Sequence, residues 1–392
     1  MPGKLLFCVA QPDRNVPSPR VPAELIDRIV ELTLMTSDND CISAFRTIAS
    51  FSLASKDFRE ISLRQYFHDI TTTTVENWTN LFSILETLTD KGVGKNTNSA
   101  FTWVRAFCAS SDIISHKPIR LSSFTNLHRL SIDLAKEGLS TQHPCLRALF
   151  SYFDANHLIL TSLTLSHLPR IDPLLLRLIA ETFPRLSDLY LSCTERVRTD
   201  CCWSCFEDSF TCTIHSPIPD DYTDVRDMAN AFSTALQPLT DLADLHLGIY
   251  LSDELVVYSH FAPLLDDEEK MGLSTGHICV SCLAKSPKTM KMRGLEATMV
   301  LAQRLKALRS VGWSWFSHRG TDIEEDDINR DQGEESDESD EDKSLADSEG
   351  TNSATDAPND ALIETDDEAK MTFSVLRGNG RIIVRIISGA EK

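Results

Sequence analysis

The chain has 392 residues, 42% of them hydrophobic and 7% aromatic, which is enough apolar mass for one large domain and a small one and excludes a wholly disordered polypeptide. No apolar run approaches the roughly 18 residues a bilayer span needs, and Met1 to Cys8 lacks the apolar region and cleavage site of a secretory signal, so a soluble cytoplasmic or nuclear protein with no membrane contact is expected. The formal net charge is −20, but residues 322–370 hold 21 acidic against three basic side chains, leaving a nearly neutral 37 against 35 elsewhere and no basic footprint for nucleic acid. Eleven cysteines, an odd number scattered over a long chain, argue against a disulfide framework and for reduced thiols.

After a flexible N-terminus over 1–18, a helical module is expected at 19–70. Pro22 supplies a fixed φ at a first helical turn and Glu24 favours the positive end of the helix dipole, so a helix starts near Val21. Leu25, Ile26, Ile29, Val30 and Leu32 or Thr33 form an apolar stripe, with Asp27, Arg28 and Glu31 opposite. A second stripe runs through Ile42, Phe45, Ile48, Ala49, Leu53 and Phe58. Helices this short cannot bury a core of their own and should pack on something else.

Those residues carry a resemblance. Val21-Pro22-x-Glu24-Leu25, then Ile29, then Leu53 followed by Phe58-Arg59 resembles an F-box. The resemblance implies docking on the adaptor subunit of an SCF-type cullin-RING ubiquitin ligase and, through it, on a cullin. Carried over position by position, Val21, Pro22, Glu24, Leu25, Ile29, Leu53, Phe58 and Arg59 are the partner-binding candidates. The competing reading is an ordinary helical cap on the domain that follows.

Residues 71–125 read as a helical linker region. A β-branched run around Ile70 to Val75 suits a short strand, and Trp78, Leu81, Phe82, Ile84, Leu85 and Leu88 make a helical stripe closed by Lys91-Gly92. From Leu127 the pattern changes to Leu-x-x-Leu-x-Leu, with starts at 127, 160, 186 and 242 and a variant, Leu308-x-x-Val311-x-Trp313. This spacing turns two alternating side chains of a short parallel strand inward and a third inward from the turn before it, the unit of a leucine-rich repeat. Leu174, Leu175, Leu178, Ile179 and Phe183 supply a helix between two strands, ending at Pro184. The starts are 33, 26, 56 and 66 residues apart, so an irregular repeat domain is expected over 126–321. Stacked units of that kind bury a continuous core that none buries alone.

The acidic stretch 322–370 repels itself and carries few apolar groups, so it is expected to be a disordered insertion. Ser339 and Ser344 each have an acidic residue three positions on, a context for an acidophilic kinase. The closing segment 371–388 holds two β-type runs around Gly378-Asn379-Gly380, a hairpin signal. With the strand around Trp313 it is expected to cap the last repeat. The expected fold is therefore α/β: a short N-terminal helical F-box-like module, an irregular leucine-rich-repeat solenoid and a C-terminal β-hairpin cap. This order of parts resembles the expanded F-box protein families of mushroom-forming fungi.

Cys202-x-x-Cys205 and Cys279-x-x-Cys282 are spaced to grip a zinc ion. The gap between them far exceeds the usual interval of about 15–20 residues, which favours buried or loop thiols and no metal or cofactor. No phosphate-cradling glycine loop, nucleophile elbow or H-E-x-x-H occurs, and His128, His143, His157, His167 and His246 lie in or beside the repeats as solvent-facing or satisfied side chains. The chain is thus expected to be a non-enzymatic receptor that brings an unknown protein substrate to a ligase by proximity. Its rivals are a repeat-based interaction scaffold with no ligase link and an acidic chaperone or chromatin-associated factor working through 322–370.

Overall fold

The computed structural model describes residues 21–35, 41–91, 99–153, 159–193, 222–249, 251, 287–314, 370–378 and 380–387. The C-x-x-C pairs, His157, the 1–18 segment and nearly all of the acidic stretch lie outside them. The described chain is a mixed α/β fold whose helices accompany one nine-stranded, mostly parallel sheet.

Three helices come first: α1 (Ala23–Met35), α2 (Cys41–Ser52) and α3 (Lys56–Tyr66). The sheet then runs in strict chain order through β1 (Asp69–Thr72), β2 (Ala106–Ser110), β3 (Arg129–Asp133), β4 (Ser162–Leu168), β5 (Asp188–Cys193), β6 (Asp244–Gly248), β7 (Ser310–Ser314), β8 (Lys370–Gly378) and β9 (Arg381–Ile387). The first seven strands are parallel, whereas β8 pairs antiparallel with β7 and β9 antiparallel with β8. Between them lie α4 (Val75–Asp90), α5 (Ser111–His116), α6 (Leu139–Phe150), α7 (Pro173–Thr182), α8 (Val225–Leu236) and α9 (Pro287–Arg304).

The register explains the leucine spacing. Phe107, Leu130, Leu163, Leu189, Leu245, Val311 and Phe373 stand opposite one another on successive strands, and so do Ala109, Ile132, Leu165, Leu191, Leu247, Trp313 and Met371. Both rows are buried. The third position of each motif, Leu127, Leu160, Leu186, Leu242 and Leu308, is buried as well, in the turn that enters the strand. Alternation along a strand sends every second residue to the same face, so a motif with two alternating leucines fills one face of the sheet.

A second ladder runs through those turns. The carbonyl of His68 accepts the N–H groups of Arg105 and Ala106; Arg105, His128, Thr161, Ser187 and Ala243 repeat the pattern toward the next turn, at 2.6–3.1 Å throughout. Each turn thereby pairs two N–H groups with one carbonyl of the turn before it. The helices seat by ordinary caps: Thr74 accepts from the Asn77 N–H at 3.1 Å, Asp172 from Leu175 at 2.8 Å and Asp224 from Asp227 at 2.9 Å.

One difference from the sequence reading stands out. The stretch 71–125 holds α4 and α5 but also β2, which enters the sheet with Phe107 and Ala109 in place of leucines. An aromatic cluster of Trp78, Phe82, Phe107 and Phe124 fills that end of the core, with centroids 4.6 to 6.2 Å apart, so the pattern there is written in rings rather than branched aliphatics. At the other end the final hairpin extends the sheet. Arg377 of β8 reaches across to the carbonyls of Ala302 at 2.9 Å, Leu305 at 2.8 Å and Leu308, holding the C-terminal turn of α9.

Candidate interaction surfaces

The candidate residues at the N-terminus lie on α1 to α3, which, contrary to the expectation from their length, close a small core of their own. Ile26, Val30, Ile48 and Ile61 are buried there, with Leu34, Phe51, Phe58 and Tyr66 packed around them. Tyr66 also lies against the main core, meeting Phe67 at 5.1 Å, and so links the two. Arg64 pairs with Asp27 at 2.8 Å, tying α3 to α1. Ser55 caps α3 by accepting the Phe58 N–H at 3.1 Å, and Arg59 donates to the Ser52 carbonyl at 3.2 Å, fixing the corner after α2.

The apolar stripe expected on α1 divides into two. Ile26 and Val30 turn into the core, while Val21, Leu25, Ile29 and Leu32 remain 53%, 56%, 51% and 47% exposed. At about 100° per residue the second set spans one narrow arc and the first lies roughly a quarter to a half turn away, so one helix presents two apolar faces. Pro22 and Glu24 are exposed at its start, where the Pro22 carbonyl accepts the N–H groups of Leu25 and Ile26 at 3.1 and 3.3 Å. Leu53, at the corner between α2 and α3, is 73% exposed. Arg59 is exposed too, but Phe58 is half-buried, its ring stacked on Phe51 at 4.8 Å. Leu32, Met35 and Phe45 add exposed apolar area outside the motif positions; the helical wheel alone gives Leu32, whereas the exposure of Phe45 depends on how α2 rotates against Tyr66.

The sheet face opposite the leucine rows is polar. One row across the strands is Cys108, Ser131, Thr164, Tyr190, His246 and Gly312, and another is Asp69, Ala106, Arg129, Ser162, Asp188, Asp244 and Ser310. Tyr190 and His246 stack at 4.2 Å with rings 11° from parallel, and Arg129 pairs with Asp69 at 2.9 Å. Burial pushes the Cys108 thiol up, against a hydrogen bond with Ser131. At the ends of β2 to β4, Lys136 pairs with Asp112 at 2.6 Å and His167 with Asp133 at 2.8 Å. Burial raises the Asp133 carboxyl, but the His167 contact and the Ala135 N–H outweigh it and hold the group below the usual carboxylate range. His143 meets Asp172 at 3.0 Å, and His128 lies 2.6 Å from the Asn126 carbonyl. Cys145 is pushed up to about 12 by burial and then by Glu137, far from a thiolate at neutral pH.

Among the described residues no group of three or more His, Cys, Asp or Glu is placed to hold a metal, and no helix is long and apolar enough to cross a membrane. The fold and these surfaces define a mixed α/β chain with a small helical module at one end of a mostly parallel sheet. Comparison with protein-family models, with curated proteins and with solved structures finds no match to any of them.

Proposed function

We propose that this chain is the substrate-recognition subunit of an SCF-type cullin-RING ubiquitin ligase, with α1 to α3 as its F-box and the sheet as an irregular leucine-rich-repeat domain that holds a protein substrate. The observation that carries the reading is the divided stripe of α1. A helix needs one apolar face to join its own chain, and Ile26 and Val30 serve that purpose; Val21, Leu25 and Ile29 form a second face turned to solvent, at positions the F-box resemblance assigns to the adaptor. A helical cap on the sheet would bury those residues instead. The order of the strands, the stacked leucine rows and the carbonyl ladder support the repeat reading, and the polar outer face of the sheet offers hydrogen-bonding groups to a protein ligand.

In this role the chain performs no bond-making of its own. Holding adaptor and substrate on one scaffold raises the local concentration of the lysine to be modified, and the ligase supplies the chemistry. The test is co-purification of the full chain with the SCF adaptor. Wild-type protein is expected to retain the adaptor through gel filtration, and a Pro22→Ala, Leu25→Asp double variant to lose it while eluting as a folded chain. Undiminished retention by the double variant would remove the docking surface from the proposal and leave an interaction scaffold without a ligase link.

A further inference from the structure

The two edges of the sheet differ in kind. β1 is short and polar, Asp69-Ile-Thr-Thr72, as a sheet edge in a monomer ordinarily is. β9, at the other edge, is a seven-residue run, Arg381-Ile-Ile-Val-Arg-Ile-Ile387. Among the described residues it pairs with β8 alone. Ile383, Ile386 and Ile387 are 47%, 48% and 41% exposed. A long isoleucine edge whose outer side meets no strand among the described residues is a template for another strand.

We infer that β9 pairs antiparallel with β9 of a second copy of this chain, joining two sheets into one across a twofold axis. The sequence selects that occupant and its register. A twofold perpendicular to the sheet keeps each face on its own side, so the axis falls on a residue rather than between two. Centred on Ile383, it sets Arg381 against Arg385 of the other copy; centred on Arg385, it sets that arginine against itself. Like charges directly opposite are destabilising. Centres nearer either end pair only part of the strand. Centred on Val384, all seven residues pair: Ile382 with Ile386, Val384 with itself, Ile383 with Arg385 and Arg381 with Ile387, with no arginine facing another. The two arginines thus guard the edge against other registers while leaving this one open. This inference does not depend on the ligase reading.

The register makes Ile383 the deciding position, since its opposite number is Arg385. Sedimentation of the full chain from about 1 to 100 µM is expected to show a monomer–dimer equilibrium. Two copies of the 383–385 pair form per dimer, so Ile383→Lys should weaken the dimer, and Ile383→Glu tighten it, each by roughly two- to thirty-fold in Kd. Arg385→Glu combined with Ile383→Lys should restore wild-type association. Circular dichroism checks that each variant is folded, and the combined variant reads the pair even if one single change proves unstable. A chain that stays monomeric through about 100 µM, as expected if the edge serves an extended segment of some other protein, overturns the inference. So does a dimer whose Kd is indifferent to both changes at Ile383.

Discussion

Gly248 ends β6 opposite Ser192 of β5, and a Gly248→Ala exchange tests how tightly the two strands are held. The added Cβ would stand 2.5 Å from the Ser192 Cα and 2.9 Å from both the Cys193 nitrogen and the Leu191 oxygen. Ordinary carbon contacts lie near 3.5–4.0 Å, so about 1 Å must be found. All three neighbours are backbone atoms, and no side-chain rotation relieves them. Leu189 and Leu191 are locked in the leucine rows at 1% and 0% exposure, so β5 cannot retreat as a body. The strand ends must part, with an overpacking cost of about 1–3 kcal/mol and a weakened ladder bond adding about 1 kcal/mol. For a folded region of this size each kcal/mol lowers Tm by roughly 2–4 °C, so a fall of about 4–16 °C is expected by thermal circular dichroism. Gly378→Ala is the control: nothing lies within 4 Å of its added Cβ, and a change within about 1 kcal/mol, neutral or stabilising, is expected. Equal melting of Gly248→Ala and wild type, or an equal loss in both variants, would refute the close approach.

Three further predictions address other parts of the molecule. Ile48 is 1% exposed in a small core that among the described residues has four buried members, so Ile48→Ala should cost about 2–5 kcal/mol and unfold α1 to α3 locally; Leu25→Asp should leave protection unchanged within about 0.5 kcal/mol. Hydrogen exchange over residues 21–66 distinguishes them, and equal loss of protection would contradict the division of the α1 stripe. The Trp313 indole donates to the Thr298 hydroxyl at 3.0 Å inside the core, so Thr298→Val should cost about 1–3 kcal/mol by stranding that donor. In a Trp313→Phe background the same exchange should cost much less, measured by urea unfolding. The Asp133 carboxyl is held below its unfolded value, so its contribution to stability is complete above the ordinary carboxylate pKa and is lost as pH falls through the lower folded value. The urea midpoint of wild type should therefore exceed that of Asp133→Asn at pH 6, with the gap closing as the pH falls below the ordinary carboxylate range; a gap that widens in acid would refute the His167 contact.

Much of this fold is legible in the sequence, because burial of one face of a short strand imposes a period of two and the preceding turn adds a third apolar position. The starts at Leu127, Leu160, Leu186, Leu242 and Leu308 all lead into strands of the one sheet. The hairpin about Gly378 to Gly380 is readable for a similar reason: two β-branched runs and a glycine-rich break leave few alternatives. β2 is less legible, since Phe107 and Ala109 occupy the leucine places and only the register against Leu130 and Ile132 reveals them as the same rows.

Tertiary structure alone decided what each apolar side chain of α1 is for. Leu25 and Ile26 are equally hydrophobic neighbours, and the sequence places both on one broad stripe. Packing of α2 and α3, fixed by the Asp27 to Arg64 pair and the Ser55 cap, covers Ile26 and Val30 and leaves Leu25 and Ile29 in the open. The same holds for β9: its isoleucines read as an ordinary strand until the order of the sheet leaves them on an edge. Hydrophobicity is a property of a residue, but exposure is a property of its neighbours, and those are chosen only when the chain closes on itself.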